Sequence, residues 1–271
     1  MAVVEGAELL SVAMAAGADI EAVYVAPEGA DVPAVREVTS AVLAGGGRVF
    51  DLAPGVMERV ASTVTPQPLL AVVSYRPSPW ARLDGATLVV VCVDVRDPGN
   101  LGTVIRTADA AGVDAVVCCD GTVDPTNPKT LRSTAGSLFH VPVVQGGSAA
   151  DALSELSARG FTTVATVVRG GTDYVAFDWT RPVALVLGNE ASGLDEALVA
   201  GLDAGVTVPM AGRAESLNVG VSAAVLCFEA LRQRRDVGGS DGIPDRSTMS
   251  AMDESAAPVP SLPTGDDGAH R

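Results

Sequence analysis

The sequence predicts an α/β protein, with a mostly parallel sheet covered by helices and a small α/β unit in front of it. Three observations lead there. Continuous apolar runs bounded by turn residues, such as 87–94, fit strands buried on both faces of a parallel sheet. Stretches with apolar residues at helical spacing alternate with those runs along most of the chain. Hydrophobic residues make up 48% of the 271 but aromatics only 4%, with 29 glycines, so the core is one of Val, Leu and Ala.

Taken in order, residues 2–5 read as a strand and 7–16 as a helix stopped by Gly17. Residues 20–26 form a second strand, ended by Pro27. Residues 32–44 carry apolar side chains at helical spacing, and glycines 45–47 terminate that helix. A short strand at 48–52, a short helix at 56–61 and a strand at 69–75 complete a unit at 1–76. Pro77 and Pro79 mark 77–86 as an interdomain linker. The second domain, 87–235, opens with strand 87–94, helix 101–111, strand 115–119, helix 130–137 and strand 141–144. It continues with helix 149–158 and strands 162–167 and 183–187, then helix 194–201, strand 206–208 and a long helix at 219–235. From Asp236 the chain is rich in Gly, Ser, Asp and Pro without periodicity. Such a segment buries too little apolar surface to offset chain entropy, so 236–271 is expected to be a disordered acidic tail.

Composition narrows the function classes. No apolar run reaches the roughly 18 residues a membrane helix needs, and the opening MAVVEGAELL lacks the basic region of a secretory signal. Cys92, Cys118, Cys119 and Cys227 sit in apolar runs without metal-ligand spacing, which points to reduced core thiols of a cytoplasmic protein. With His140 and His270 the only histidines, no metal is expected. The net charge is −15. Residues 236–271 hold seven acids against two arginines, and residues 1–235 keep 26 acids against 16 basic residues. Charge alone argues against nucleic acid, because phosphate contacts need Lys and Arg. A docking face nevertheless needs only a few well-placed arginines.

Three loops at strand ends carry the chemistry. The first runs from Asp97 to Gly112, where a Pro-Gly turn leads into a helix starting near Asn100 that carries Arg106 one to two turns in. A helix N-terminus offers unpaired N–H groups to an anion, and a guanidinium can hold phosphate or ribose oxygens. The plain alternative is a strand-to-helix turn capped by Asn100. In the second, a buried strand breaks at Gly188, which would let a ligand approach the backbone, and exposes Asn189 and Glu190. The plain alternative there is a carboxylate near the N-terminus of the following helix. In the third, a strand ends at Pro209, a Met210-Ala-Gly loop follows, and Ser216-Leu217-Asn218 opens the last helix. Taken alone, that loop reads equally well as a capped amphipathic helix.

The order Asn-x-Gly-x-x-x-Arg, Leu-Gly-Asn-Glu-x-x-Gly-Leu, then Val-Pro-Met-x-Gly-x-x-x-Ser-Leu-Asn-Val is far more specific than any one loop. Over about residues 87–235 it resembles the SpoU (TrmH-type) branch of the SPOUT class, RNA 2′-O-ribose methyltransferases. Residues 1–76, with Val-Val-Glu-Gly near the start, look like the L30e-like substrate-binding domain that often precedes this catalytic domain.

The resemblance implies a SPOUT-type sheet with a C-terminal trefoil knot and S-adenosyl-L-methionine as cofactor. By match, Gly188, Val208 and Leu217, with Met210 nearby, hold the cofactor, which agrees with the lack of a G-x-G-x-x-G fingerprint. The matching active-site residues are Asn100, Arg106, Glu190, Ser216 and Asn218. Arg106 is either the proton acceptor or a clamp on ribose and phosphate. The family's third loop usually reads Asn-Val-Ser-Val, whereas this chain has Gly220, losing a hydroxyl that Ser222 could replace.

Arg36, Arg48, Arg59, Lys129 and Arg132 are candidate phosphate contacts, against a solvated surface charge for each. Structured RNA is the expected partner, ribosomal rather than transfer RNA, without DNA or membrane. A homodimer is expected too, to which the apolar face of helix 219–235 contributes. The competing readings are a transfer-RNA 2′-O-methyltransferase, a non-catalytic RNA- or ribosome-binding protein retaining the fold, and a nucleotide-dependent oxidoreductase, which fits the strand pattern alone.

Overall fold

The computed structural model describes residues 1–61 and 63–238. Its larger sheet follows from the apolar runs. Strands β5 (Leu88–Cys92), β6 (Ala115–Cys119) and β10 (Val183–Leu187) are buried at every position. Side chains alternate between sheet faces with period two, and the core divides accordingly. Val90, Cys92, Val116, Leu185 and Leu187 join one apolar cluster, while Val89, Val91, Val117, Ala184 and Val186 join a second on the other face. The first face is covered by α4 (Pro98–Ala111), through Leu101, Val104 and Ile105, and by α8 (Val219–Gly238), through Ala223 and Leu226. The second is covered by α6 (Ala149–Ala158), through Ala152, Leu153 and Leu156. Sheets covered on both faces can be wholly parallel, and every pairing found in this one is parallel.

The sheet order is β7-β6-β5-β10-β8-β11-β9, with β7 (Val143–Gly147), β8 (Thr162–Thr166), β9 (Thr172–Asp173) and β11 (Ala204–Thr207). Thus β10 enters between β5 and β8, and the ends of β5, β8, β10 and β11 converge on one region. The N-terminal sheet has the order β1-β4-β2-β3, built from β1 (Ala2–Glu5), β2 (Ile20–Val25), β3 (Val49–Asp51) and β4 (Leu69–Val73). Helices α1 (Ala7–Ala15), α2 (Pro33–Ala44) and the short α3 (Met57–Val60) accompany it. Its apolar residues Val4, Leu10, Val23 and Leu69 belong to the same cluster as the first face of the large sheet, and residues 1–237 form one unit. Glu5 of β1 and Arg132 of α5 (Pro128–Thr134) pair across this junction at 3.6 Å.

Element ends differ from the sequence expectation where backbone pairing, not apolarity, sets them. The strand expected at 141–144 runs instead from Val143 to Gly147, because Gln145 and Gly147 continue the ladder with Cys118 and Cys119. The strand expected at 206–208 begins at Ala204, paired with Val164. Helix α5 starts at Pro128 behind an Asn127 cap and stops at Thr134, since Ala135 turns left-handed at φ 49°. The two-residue β9 and the short α7 (Glu196–Ala200), capped by Asp195, complete the set. Residues 77–86 are not an open linker. They hold a 3₁₀ turn, Trp80–Leu83, whose Leu83 is only 2% exposed in the second cluster. The last helix runs to Gly238, past the expected tail boundary, and the rest of that tail (239–271) lies outside the described residues.

Candidate active site

The helix opening the first loop is capped by Asp97, not by Asn100. Pro98 takes the first helical position, and the Asp97 carboxylate accepts from the Asn100 backbone N–H at 3.0 Å. That bond is the main reason the Asp97 carboxyl is held below the usual carboxylate range, with Lys129 adding to it and burial opposing it. Asn100 is therefore one turn inside the helix with its side-chain amide free for other partners.

Those partners are Glu190 and Asn218. Asn100 Nδ2 donates to Glu190 Oε1 at 3.0 Å, and Asn218 Nδ2 donates to Asn100 Oδ1 at 2.9 Å. A carboxylate is an acceptor only, so it fixes which end of the Asn100 amide faces it, and that in turn fixes the Asn218 amide. The oxygen of Asn218 then faces the backbone, accepting from Gly220 N at 2.9 Å and Val221 N at 3.4 Å, which makes Asn218 the N-cap of α8. Glu190 also accepts the backbone N–H groups of Arg96 (3.2 Å) and Asp97 (3.0 Å). It is thus set at the start of α4, not at the helix that follows it in sequence. Partial burial pushes its carboxyl up, but these hydrogen bonds outweigh that effect and hold it below the usual carboxylate range. One chain of hydrogen bonds ties all three loops together.

Behind this chain lies a cavity of about 230 Å³ at the converging strand ends. Gly188, Val208, Met210 and Leu217 line it, as do Glu190 and Ser216. The structure therefore gathers six of the nine expected site residues around one space and holds Asn100 and Asn218 at its border through Glu190. Arg106 stands apart. It lies six residues beyond Asn100 on α4, on the ridge through Thr103, its side chain exposed and without a hydrogen bond or ion pair among the described residues. Gly188 has a reason beyond ligand approach, since a Cβ there would lie 2.5 Å from the Gly193 carbonyl carbon and 2.6 Å from Leu194 N. The loop closes on itself through reciprocal Asn189–Gly193 backbone bonds of 3.1 and 2.9 Å.

Several contributors were not assigned from sequence. Asn189 sat inside the second motif without a role. Its amide nitrogen donates to the Asp94 carbonyl at 2.9 Å, and its oxygen accepts from the backbone N–H groups of Ala191 and Ser192, so it shapes the loop. Glu215 lines the cavity beside Ser216, and its signal was adjacency to the third motif. Thr166 and Val168 line it too, and no spacing points to them, because β8 reaches the cavity only through the sheet order. Of the candidate phosphate contacts, Arg132 is engaged with Glu5, Lys129 with Asp97 at 3.4 Å, and Arg48 Nε donates to the Glu21 carbonyl at 3.2 Å. Arg36 and Arg59 have no side-chain partner among the described residues.

The family model of SpoU rRNA methylases matches residues 87–228. The 23S rRNA (guanosine(2553)-2′-O)-methyltransferase RlmP of Bacillus subtilis is 44% identical over 183 residues, spanning 68% of this chain and 72% of that protein. A 23S rRNA (uridine(2479)-2′-O)-methyltransferase of Streptomyces viridochromogenes is 39% identical over 142 residues, about half of each chain. Among solved structures, the SpoU methyltransferase AviRb from Streptomyces viridochromogenes in complex with AdoMet superposes with a TM-score of 0.79. It is 30% identical, and the match covers 86% of this chain and 89% of that one. An AdoMet-bound rRNA methyltransferase from Sinorhizobium meliloti gives 0.74 at 34% identity, covering 85% and 87%.

Proposed function

The chain belongs to the SpoU rRNA methylase family, and from that premise we propose that it moves a methyl group from S-adenosylmethionine to a ribose 2′-oxygen of ribosomal RNA. The observation that carries this reading is the Asn218–Asn100–Glu190 chain set at the edge of the cavity.

The cavity suits the cofactor. Val206, Val208 and Leu226 give it an apolar wall for a purine ring, and its charged lining side chains, Glu190 and Glu215, are both carboxylates. Two negative charges fit a sulfonium carrying an ammonium group and repel a dinucleotide phosphate. When bound, the cofactor supplies a methyl carbon on a cationic sulfur that leaves with the bonding pair. Glu190 and Glu215 favour that cation in the site, and Val208, Met210, Leu217 and the Gly188 backbone hold the rest of the molecule. Asn100 and Asn218, fixed in orientation, position the ribose with Ser216, so much of the rate comes from alignment. Arg106 is a donor-only fork with no competing partner. Its role in this reading is to clamp the ribose and adjacent phosphate and to stabilise negative charge developing on the 2′-oxygen, whose proton passes to solvent water as the methyl group is transferred.

The rest of the reading follows from the same family. Residues 1–76 serve as an L30e-like substrate-binding unit, 87–235 as the catalytic domain and 239–271 as an acidic tail, in a cytoplasmic enzyme. The trefoil knot is supported by the entry of β10 between β5 and β8 and by the return of Asn218 to Asn100. A homodimer is supported by Val221 and Phe228, each 47% exposed along α8.

The test is methyl transfer from radiolabelled S-adenosylmethionine to total RNA from a strain lacking the gene. Label is expected in 23S rRNA as a 2′-O-methyl nucleoside, and it should vanish with Arg106→Ala. A folded, cofactor-binding wild type that labels no RNA would overturn the proposal.

A further inference from the structure

We infer that the groove where the N-terminal unit meets the catalytic sheet binds the sugar-phosphate backbone of the RNA, with Arg76 and Arg82 on phosphates and His140 on a ribose hydroxyl. This rests on the RNA-methyltransferase reading and adds to it a docking surface separate from the catalytic cavity. The groove has a volume of about 250 Å³. It lies between the end of α1, the segment leaving β4 with its following turn, and the segment entering β7.

Its charge is the first argument. In a chain with 33 acids against 18 basic residues, no acidic side chain lines this groove, while two arginines and a histidine do. Three acids on the surrounding elements are already engaged. Glu21 accepts from Ser74 Oγ at 3.1 Å, Asp84 pairs with Arg159 at 2.6 Å, and Asp109 holds His140 Nδ1 at 3.2 Å. The side chains of Arg76 and Arg82 are exposed and have no hydrogen bond or ion pair among the described residues, unlike those of Arg96, Arg159 and Arg232, which all face carboxylates. An unpaired planar guanidinium is suited to bidentate contact with phosphate.

The second argument is rigidity. The backbone carrying both arginines is pinned by buried Leu83 and by the Ser78 N–H donating to the Val143 carbonyl at 2.8 Å. Charges on a fixed segment lose little freedom when they bind. His140 adds the third argument. With Nδ1 against the Asp109 carboxylate, the tautomer that matches this contact carries its proton on Nδ1 and presents Nε2 as an acceptor. A ribose 2′-hydroxyl is a donor that fits it, and that hydroxyl distinguishes RNA from DNA.

The experiment uses the full chain and a 23S rRNA fragment identified as substrate or, failing that, bulk ribosomal RNA. For Arg76→Gln/Arg82→Gln, fluorescence anisotropy at several salt concentrations should show weaker RNA binding. The slope of log affinity against log salt should flatten by about 1.4 to 1.8, the share of two phosphate contacts. Cofactor binding, melting temperature and kcat at saturating RNA should match wild type, while KM for RNA rises. His140→Phe should lower the preference for RNA over DNA of the same sequence. Inorganic phosphate alone should show no saturable binding, separating a polymer backbone from a free anion. An unchanged slope and KM in the double arginine variant would overturn the docking surface, and unchanged RNA-over-DNA preference in His140→Phe would remove the imidazole from it. A wild type that binds RNA with the full slope yet transfers no methyl group would sink the enzymatic reading and leave the groove standing.

Discussion

Replacing Gly220 with serine, the residue the family usually carries there, should damage this protein, and the structure gives the size of the effect. A Cβ at 220 would lie 2.7 Å from Thr103 Cγ2, 2.9 Å from Thr103 Cβ and 3.3 Å from Asn218 Oδ1. Carbon contacts are comfortable at about 3.5–4.0 Å, so α8 must retreat from α4 or Thr103 must turn. Thr103 resists turning, being β-branched and bonded through Oγ1 to the Gly99 carbonyl at 2.8 Å. Overpacking of this kind costs about 1–3 kcal/mol, and the better helix propensity of serine returns about 0.5 kcal/mol. The net loss of about 0.5–2.5 kcal/mol corresponds to a fall in melting temperature of about 1–10 °C for a domain of this size. Retreat of α8 also stretches the Asn218–Asn100 bond, so kcat should drop by about 10- to 100-fold. Thr103→Ala in the Gly220→Ser background removes the 2.7 Å contact but leaves the 2.9 Å one, so recovery should be partial, with a coupling of about 1 kcal/mol. Thermal unfolding and single-turnover methyl transfer measure both quantities. A Gly220→Ser protein with wild-type melting and rate, or a double variant no better than the single, would refute the contact as the reason for glycine.

Three further outcomes follow from the same geometry. Asn218→Asp keeps an acceptor for the α8 cap but sets a carboxylate against Asn100 Oδ1. Melting should change by less than the ~1 kcal/mol of a lost cap while kcat collapses, and a rate close to wild type would show that the amide link is not used. Glu190 titrates below its unfolded value of about 4.3. Its contribution to stability is therefore present above that pH and lost as pH falls through the folded value. The melting difference between wild type and Glu190→Gln should be full at pH 7 and close below about pH 4, and a pH-independent difference would contradict the assignment. Gly188→Ala drives a methyl group into the Gly193–Leu194 backbone, which has no rotamer to escape by. Calorimetric titration should show S-adenosylmethionine affinity reduced more than about tenfold, a loss of over 1.4 kcal/mol, and full affinity would mean the loop is not part of the cofactor site.

The acidic charge and the RNA substrate are reconciled by distribution. Many basic side chains are spent on carboxylates or carbonyls, as with Arg132 on Glu5 and Arg234 on the Thr87, Trp179 and Arg181 carbonyls. Arg106, Arg76 and Arg82 have no side-chain partner among the described residues, and these are the cations the proposed RNA contacts use.

By itself the sequence determined the layered α/β architecture and which residue types stand in the three loops, since both are local. Strands 115–119 and 183–187 and helix 149–158 have the bounds their apolar patterns predict, because burial on both sheet faces imposes an uninterrupted apolar run. The three motifs are legible for a similar reason, each needing a glycine, an amide or a carboxylate at a fixed distance from a strand end. What the tertiary structure decided is how those pieces meet. Asp97 displaced Asn100 as the cap, and only that freed Asn100 to join Glu190 and Asn218. Gly220 is set by Thr103 from another helix, Arg132 by Glu5 from another sheet, and Thr166 reaches the cavity through strand order. These depend on contacts between residues far apart in the chain, and periodicity carries no record of partners across such distances.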